Sequence, residues 1–406
     1  MQFRTHSDNN DTTTNKQDQP ASTAPPEENA KRIIVQTGDR QVTTLILDSD
    51  AHRIITTFDD ETVLVYSALT GALLSTLTGH QGGVWASSLH KNTLVTASTD
   101  RTIRVWDLLT GICTHVFVAH TSTVRSAQIV LPINVNRHNP GQPPKYEPEF
   151  PIIVAGSRDN TVSVWRLPIE ELNGDLAVTK RDNWLLRRLT GHTDAIRAIA
   201  GEGNLVASAG YDHVARIWNS FTGELIHTLV GHEQKLYQVV LDTEHRQCIT
   251  SGMDAIIRIW SLDTGASLHV LTGHTALVGL LQLNAGLMVS ASADGTAQVW
   301  DPITAERLHI IGNHPLGQGN SILATQHDGE KLVIGFDGAV QTWDIRTGEL
   351  LHETKDVGTV WQLAFDRRRR VVAFNLPEQG SYRTHNQSCL EILDYGVAVG
   401  SQLSGH

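Results

Sequence analysis

The chain has 406 residues, too many for one compact core of ordinary depth, so several domains or a repeat array must take up the length. Hydrophobic residues make up 40% and charged residues 18%, with 33 glycines against 13 prolines, a turn-rich composition that excludes a largely unfolded chain. A net charge of −11 excludes a nucleic-acid backbone binder, and Cys113, Cys248 and Cys389, with no CxxC pair, exclude a disulfide framework or thiolate zinc site.

In chain order, residues 1–31 are rich in Thr, Asn, Gln, Pro and acids and read as a disordered polar tail. No apolar h-region opens the chain and no apolar run is long enough to cross a bilayer. A soluble protein of the nucleus and cytoplasm is expected, with neither membrane nor nucleic acid as partner. From Arg32 one pattern recurs: a Gly-His pair, an alternating apolar strand, an Asp, and a strand ending in an aromatic. The strand-end aromatics are Tyr66, Trp106, Trp165, Trp218, Trp260, Trp300 and Trp343. Six residues before each stands an Asp: Asp60, Asp100, Asp159, Asp212, Asp254, Asp294 and Asp337. The opening histidines are His80, His120, His192, His232, His274 and His314.

Successive aromatics are 40, 59, 53, 42, 40 and 43 residues apart, matching a four-stranded propeller blade with two insertions. The insertions, 131–150 and 166–184, fall between strands a and b of the third unit and between its strand c and the next strand d, both on one side of the disc. An eighth unit without the Trp signature runs from VWQLAF (360–365) to LEILD (390–394). The expected fold is an all-β, eight-bladed WD-repeat propeller over 32–396, followed by a short tail, 397–406. Asp39 stands where an opening His is expected, and Ala119 and Asn313 replace the Gly before His120 and His314.

His, Asp and Ser together suggest a hydrolase triad, but a constellation repeated in six or seven blades is not one active site. The expected role is structural: the Asp accepts from the His ring, and a strand Ser or Thr links that ring to the Trp indole. No catalytic residue, metal site or cofactor is expected, and the chain is not read as an enzyme.

Function should lie where equivalent positions differ from blade to blade. The fifth residue after the opening His is Trp85, Arg125, Arg197, Tyr237 and Gly279, and Trp361 holds the same rim position in the last unit. The residue before the turn Asp is Thr99, Arg158, Tyr211, Met253 and Ala293. Arg101 follows its turn Asp directly. Any one such arginine is most simply read as pairing with a rim carboxylate. Three converging on one face offer planar, bidentate donors suited to a phosphate. Their aromatic and Met neighbours suit flanking apolar side chains, so the expected ligand is an extended phosphopeptide. Arg104, Arg216 and Arg258 are read as scaffold, and the run Arg367 to Arg370 as a solvated turn in preference to a nuclear-import patch.

The segments TSTVR (121–125), GSRDNTVSVW (156–165), GHTDAIR (191–197), GHTALVGLL (273–281) and SCLEILD (388–394) resemble the fungal cell-division-control F-box/WD-repeat proteins, substrate receptors of SCF ubiquitin ligases. The resemblance covers about 32–396. It implies that Arg125, Arg158 and Arg197 hold the phosphate of a phosphothreonine-proline degron, with Arg101, Ser122, Thr123 and Tyr237 around it. It further implies that Trp85 stacks on the proline, while Thr99, Tyr211, Met253 and Trp361 receive the preceding hydrophobic residues. It implies phosphorylated protein substrates and a Skp-type SCF adaptor as partners, the adaptor only through an F-box, which residues 1–31 are too short and polar to supply. It leaves a homodimer open. The alternative is a WD-repeat scaffold for complex assembly, docking partners through its insertions without a ligase.

Overall fold

The computed structural model describes residues 30–136, 141–168, 184–312, 321–376 and 387–395. Residues 1–29 of the first tail, the second tail, most of the second insertion and His314 lie outside these, while Lys31, read as the end of the tail, already begins a strand.

All regular structure among the described residues is β-strand. Six four-stranded antiparallel sheets follow one another along the chain: Val42–Leu77, Val84–Val118, Val124–Thr190, Ile196–Val230, Leu236–Leu271 and Val278–Ile311. The next sheet has seven strands, because the long strand Leu350–Phe365 serves two blades. Its first part is the outer strand of blade 7, after Ala324–His327, Lys331–Gly335 and Asp337–Asp344. Its last part is the inner strand of blade 8, which continues with Arg369–Asn375 and Ser388–Asp394. There are eight blades. The outer strand of blade 8 is Lys31–Gly38, paired antiparallel to Ser388–Asp394 with Lys31 opposite Asp394. The eighth unit read from sequence lacked this strand, which comes from the other end of the chain and joins first blade to last, closing the ring without a free inner edge.

Apolar residues of adjacent blades interleave. Val95, Ile103 and Val105 of blade 2 pack on Val124, Ile153 and Trp165 of blade 3, and similar layers recur around the disc. Alternation along each strand puts one apolar set on either side of a blade, so every blade is buried from both flanks. Glutamine amides tie the inner strands together. Gln128 exchanges two hydrogen bonds with the backbone of Gly201 at 3.1 and 2.8 Å, Gln326 does the same with Phe365, and Gln362 donates to the Thr43 carbonyl at 2.9 Å across the closure.

The His–Asp–Trp pattern is a hydrogen-bonded chain inside each of blades 2–6. In blade 2, His80 Nδ1 lies 2.7 Å from Asp100, its Nε2 2.7 Å from Thr96 Oγ1, and Trp106 Nε1 donates to that oxygen at 2.8 Å. Ser208, Thr250 and Ser290 fill the Thr96 role in blades 4–6. In blade 3 it passes to Ser163 on the neighbouring strand. Burial raises the Asp100 carboxyl, but hydrogen bonds from His80, the Gln81 amide and Thr102 outweigh it and hold the group well below the usual carboxylate range. Asp159 and Asp212 behave alike.

Blade 1 departs. Five residues before the bulge residue Thr43, where the other blades have their His, stands Gly38 and not Asp39, and Arg40 reaches the turn instead, 3.4 Å from Asp60 and 2.8 Å from Thr62. The run at 367–370 is also not a solvated turn: Arg369 and Arg370 are each 1% exposed at the start of a strand, and Arg368 makes two hydrogen bonds to Asp394 at 2.9 and 3.0 Å. Alternation buries two members of the run in blade 8, where no import receptor reaches them.

Candidate ligand-binding face

The inner strands of blades 1–6 and 8 carry a β-bulge at the same place, while that of blade 7, Ala324–His327, pairs without one. The pairing register shifts between Val84 and Ala86, Val124 and Ser126, Ile196 and Ala198, Leu236 and Gln238, Val278 and Leu280, and Val360 and Gln362. The bulged residues are therefore Trp85, Arg125, Arg197, Tyr237, Gly279 and Trp361, with Thr43 in blade 1. A bulge frees its residue from the ladder and re-aims the side chain. This is why the fifth position after the histidine varies: it carries no pairing duty.

A second rim lies just outside. The residue before each turn Asp donates its backbone N–H to the loop entering the inner strand: Thr99 to Gly83, Arg158 to Thr123, Tyr211 to Ala195, Met253 to Lys235, all at 2.9 Å. Thr123 is thus tied to Arg158 through its carbonyl, and the Ser122 carbonyl accepts from Ser157 at 3.2 Å. Gly83 is required here, since a Cβ would come within 2.4 Å of the Asp59 carbonyl and press on Trp85. Arg101 is exposed, with φ of 72°, at a turn position occupied by Asn160, His213, Ala255 and Gly295 in the following blades.

The bulge residues of blades 1–4 and 8 converge at the channel mouth. A cavity of about 150 Å³ is lined by Thr43, Trp85, Arg125, Arg197, Trp361 and Gln362, among others. The Arg125 guanidinium lies 4.0 Å from the Trp85 ring centre, and that of Arg197 5.8 Å from Tyr237. Tyr237 in turn sits 5.8 Å from Tyr211. The Trp361 indole N–H is buried here and unpartnered among the described residues. Met253, 43% exposed, stands at the outer edge on the blade 5 side.

Among the described residues none of Arg125, Arg158 and Arg197 forms an ion pair with a carboxylate, although other arginines of the disc do, such as Arg216 with Asp212 at 2.8 Å. Burial, then repulsion from Arg197 and Arg158, pushes the Arg125 guanidinium down to about 10. It stays charged at neutral pH, and a cation destabilised this way is stabilised by an incoming anion.

Of the positions read from sequence, Trp85, Arg125, Arg197 and Trp361 line one cavity, Arg158, Tyr211 and Tyr237 act on Arg125 electrostatically, and Thr99, Arg101, Ser122, Thr123 and Met253 stand on the surrounding loops. Sequence reasoning missed Thr43 and Gln362, which occupy or adjoin the bulge in blades 1 and 8. The absent opening histidines hid the register there.

The family described as WD domain, G-beta repeat matches residues 71–107, 111–166, 183–219, 223–261 and 265–301. The chain belongs to the WD-repeat family. This WD-repeat chain is similar to the WD repeat-containing protein pop2 of Schizosaccharomyces pombe, at 38% identity over 355 residues, covering 86% of this chain and 49% of that protein. It is similar to cell division control protein 4 of Candida albicans, at 37% identity over 371 residues, covering 90% of this chain and 53% of that protein. With its Saccharomyces cerevisiae namesake it shares 34% identity over 382 residues, covering 87% of this chain and 46% of that one. The WD-repeat chain spans about half the length of the curated relatives it matches. The expected resemblance to fungal cell-division-control proteins therefore holds. Among solved structures, the computationally designed Ika8 protein superposes with a TM-score of 0.68 at 25% identity, covering 87% of this chain and 97% of that one.

Proposed function

We propose that the channel-mouth face of this WD-repeat chain binds a phosphothreonine-proline peptide, and that the chain is the substrate-recognition module of an SCF-type ubiquitin ligase. The observation that carries the first part is the set of three guanidiniums without a carboxylate partner. A phosphate of about −1.5 to −2 charges relieves their repulsion and accepts from each fork. Arg125 and Trp85 form a stacked pair, leaving the rest of the indole for a proline ring. Thr99, Tyr211, Met253 and Trp361 take the preceding hydrophobic residues, while Arg101, Ser122, Thr123 and Tyr237 border the anion site. The ligase part rests on the resemblance to cell-division-control proteins, with phosphorylated substrates and a Skp-type adaptor as the partners it brings. Nuclear action in the cell cycle belongs to the same reading.

The test is a calorimetric titration with a phosphothreonine-proline peptide and its unphosphorylated twin. The phosphorylated form should bind and the twin should not. Arg158→Ala and Arg197→Ala should each weaken binding by about 10- to 100-fold, since a hydrogen bond to a charged group contributes about 1.5–3 kcal/mol. Full affinity in both variants would refute the reading.

A further inference from the structure

The inner strands are not joined alike around the channel. One register position, paired with the neighbour of the residue opposite the strand-end Trp, is Ser88, Gln128, Ala200, Val240, Gln282 and Gln326 in blades 2–7. Where it is polar, it bonds to the inner strand of the next blade. Ser88 Oγ accepts the Ile129 N–H at 3.0 Å, Gln128 binds the Gly201 backbone and Gln326 that of Phe365. Gln282 takes the His327 N–H at 3.2 Å and donates to the Thr325 carbonyl at 2.8 Å. Each inner strand is the edge of its sheet, so side chains supply the partners that a further strand would give.

The boundary between blades 4 and 5 breaks this series. Ala200 has only a methyl group where blade 3 has the Gln128 amide. Leu241 takes the place of Gly201 in blade 5, and no side chain among the described residues bonds to its N–H or carbonyl. Here the wall opens into a cavity of about 360 Å³, lined by Gln128, Ala200, Glu202, Val239, Val240 and Leu241, among others. Most of these side chains are apolar. Glu202 is the charged group of the lining and has no ion-pair partner among the described residues. A ligand that donates and accepts from one planar group matches a free strand edge, and a primary carboxamide does both, as Gln128 does one blade away.

We propose that the channel wall between blades 4 and 5 binds small primary carboxamides with a branched apolar body. The amide gives Leu241 the two hydrogen bonds that Gln128 gives Gly201, and the apolar body lies against Ala200, Val239 and Val240. Glu202 disfavours anions of the same shape. The site shares no lining residue with the cavity at the arginine-lined mouth and does not depend on the phosphopeptide reading.

The test is a ligand-observed NMR titration of the whole chain with 4-methylpentanamide, its N,N-dimethyl derivative and 4-methylpentanoate. The primary amide should bind, and the other two, which lack its N–H donors, should bind about tenfold more weakly. Glu202→Gln should bring the carboxylate level with the dimethyl amide. Ala200→Gln places the chain's own amide at the boundary and should abolish binding while raising the melting temperature. Ala200→Val fills the space without an amide and should abolish binding alone, so either substitution decides if the other does not fold. Phosphopeptide affinity should be unchanged in all three variants. No binding of the primary amide, equal binding of the three probes, or binding that survives the substitutions at Ala200 would overturn the site.

Discussion

At Arg101 the backbone is in a conformation that side chains other than Gly and Asn take at a cost, about 1–2 kcal/mol for the left-handed region. The same turn position is Gly295 in blade 6 and Asn160 in blade 3, residues suited to it. An arginine kept there is a reason to look for a ligand. Arg101→Gly should raise stability by up to about 1 kcal/mol and, if Arg101 borders the phosphate, weaken phosphopeptide binding several-fold. Thermal unfolding and peptide titration read the two effects separately, and a gain in stability with unchanged affinity would remove Arg101 from the site. The guanidiniums themselves were legible from sequence because the repeat makes neighbouring blades comparable, so that Arg125 and Arg197 stand out at a position filled by Trp85 and Tyr237. The stacking of Arg125 on Trp85 was not legible, because it joins two blades and depends on how each bulge aims its residue.

The blade has its own energetics. Thr250 satisfies two buried groups, the His232 ring and the Trp260 indole, through one oxygen. Thr250→Val keeps the shape and removes that oxygen, leaving His232 Nε2 and the Trp260 indole N–H without a partner while His232 Nδ1 keeps Asp254, so a loss of about 2–4 kcal/mol is expected, measured by denaturant unfolding. A loss below about 0.5 kcal/mol would contradict the structural role given to the repeated pattern. These groups also fix the pH profile. The turn carboxylates, Asp254 and Asp294 among them, ionise below their usual range, held there against burial by their hydrogen bonds. The unfolded chain then binds more protons below about pH 4, and stability is lost as pH falls through that region. His274 and His327 are lowered by burial, so the unfolded chain also takes up protons first below about pH 6.5. The melting temperature should therefore begin to fall on acidification below about pH 6.5 and drop steeply below about pH 4. A rise between pH 6.5 and 5 would contradict this. Strand periodicity and the His, Asp and Trp positions made these blades readable in the sequence. Blade 1 was harder, since Arg40 does the work of a histidine two residues from the register position. The outer strand of blade 8 was hidden for another reason: its pairing partner is more than 350 residues away.

Over the whole molecule, eight blades divide two kinds of work. Interleaved apolar layers and glutamine clamps hold the ring, and the closing strand keys into it through Arg32, 2.5 Å from Glu391, itself 1% exposed. The bulges of blades 1–6 and 8 then free one residue per blade at the start of the inner strand, and only some of those are cationic. The result is a face charged on blades 2–5 in a chain whose net charge is −11, so that attraction for an anion is local and oriented. The central claim is that a dianionic phosphate sits among Arg125, Arg158 and Arg197. Its most direct test is a phosphorus NMR titration of a bound phosphothreonine-proline peptide with pH. The phosphate's second ionisation, near pH 6 in the free peptide, should fall by about a unit or more on binding and recover in Arg158→Ala. A bound phosphate that titrates where the free one does would contradict the account.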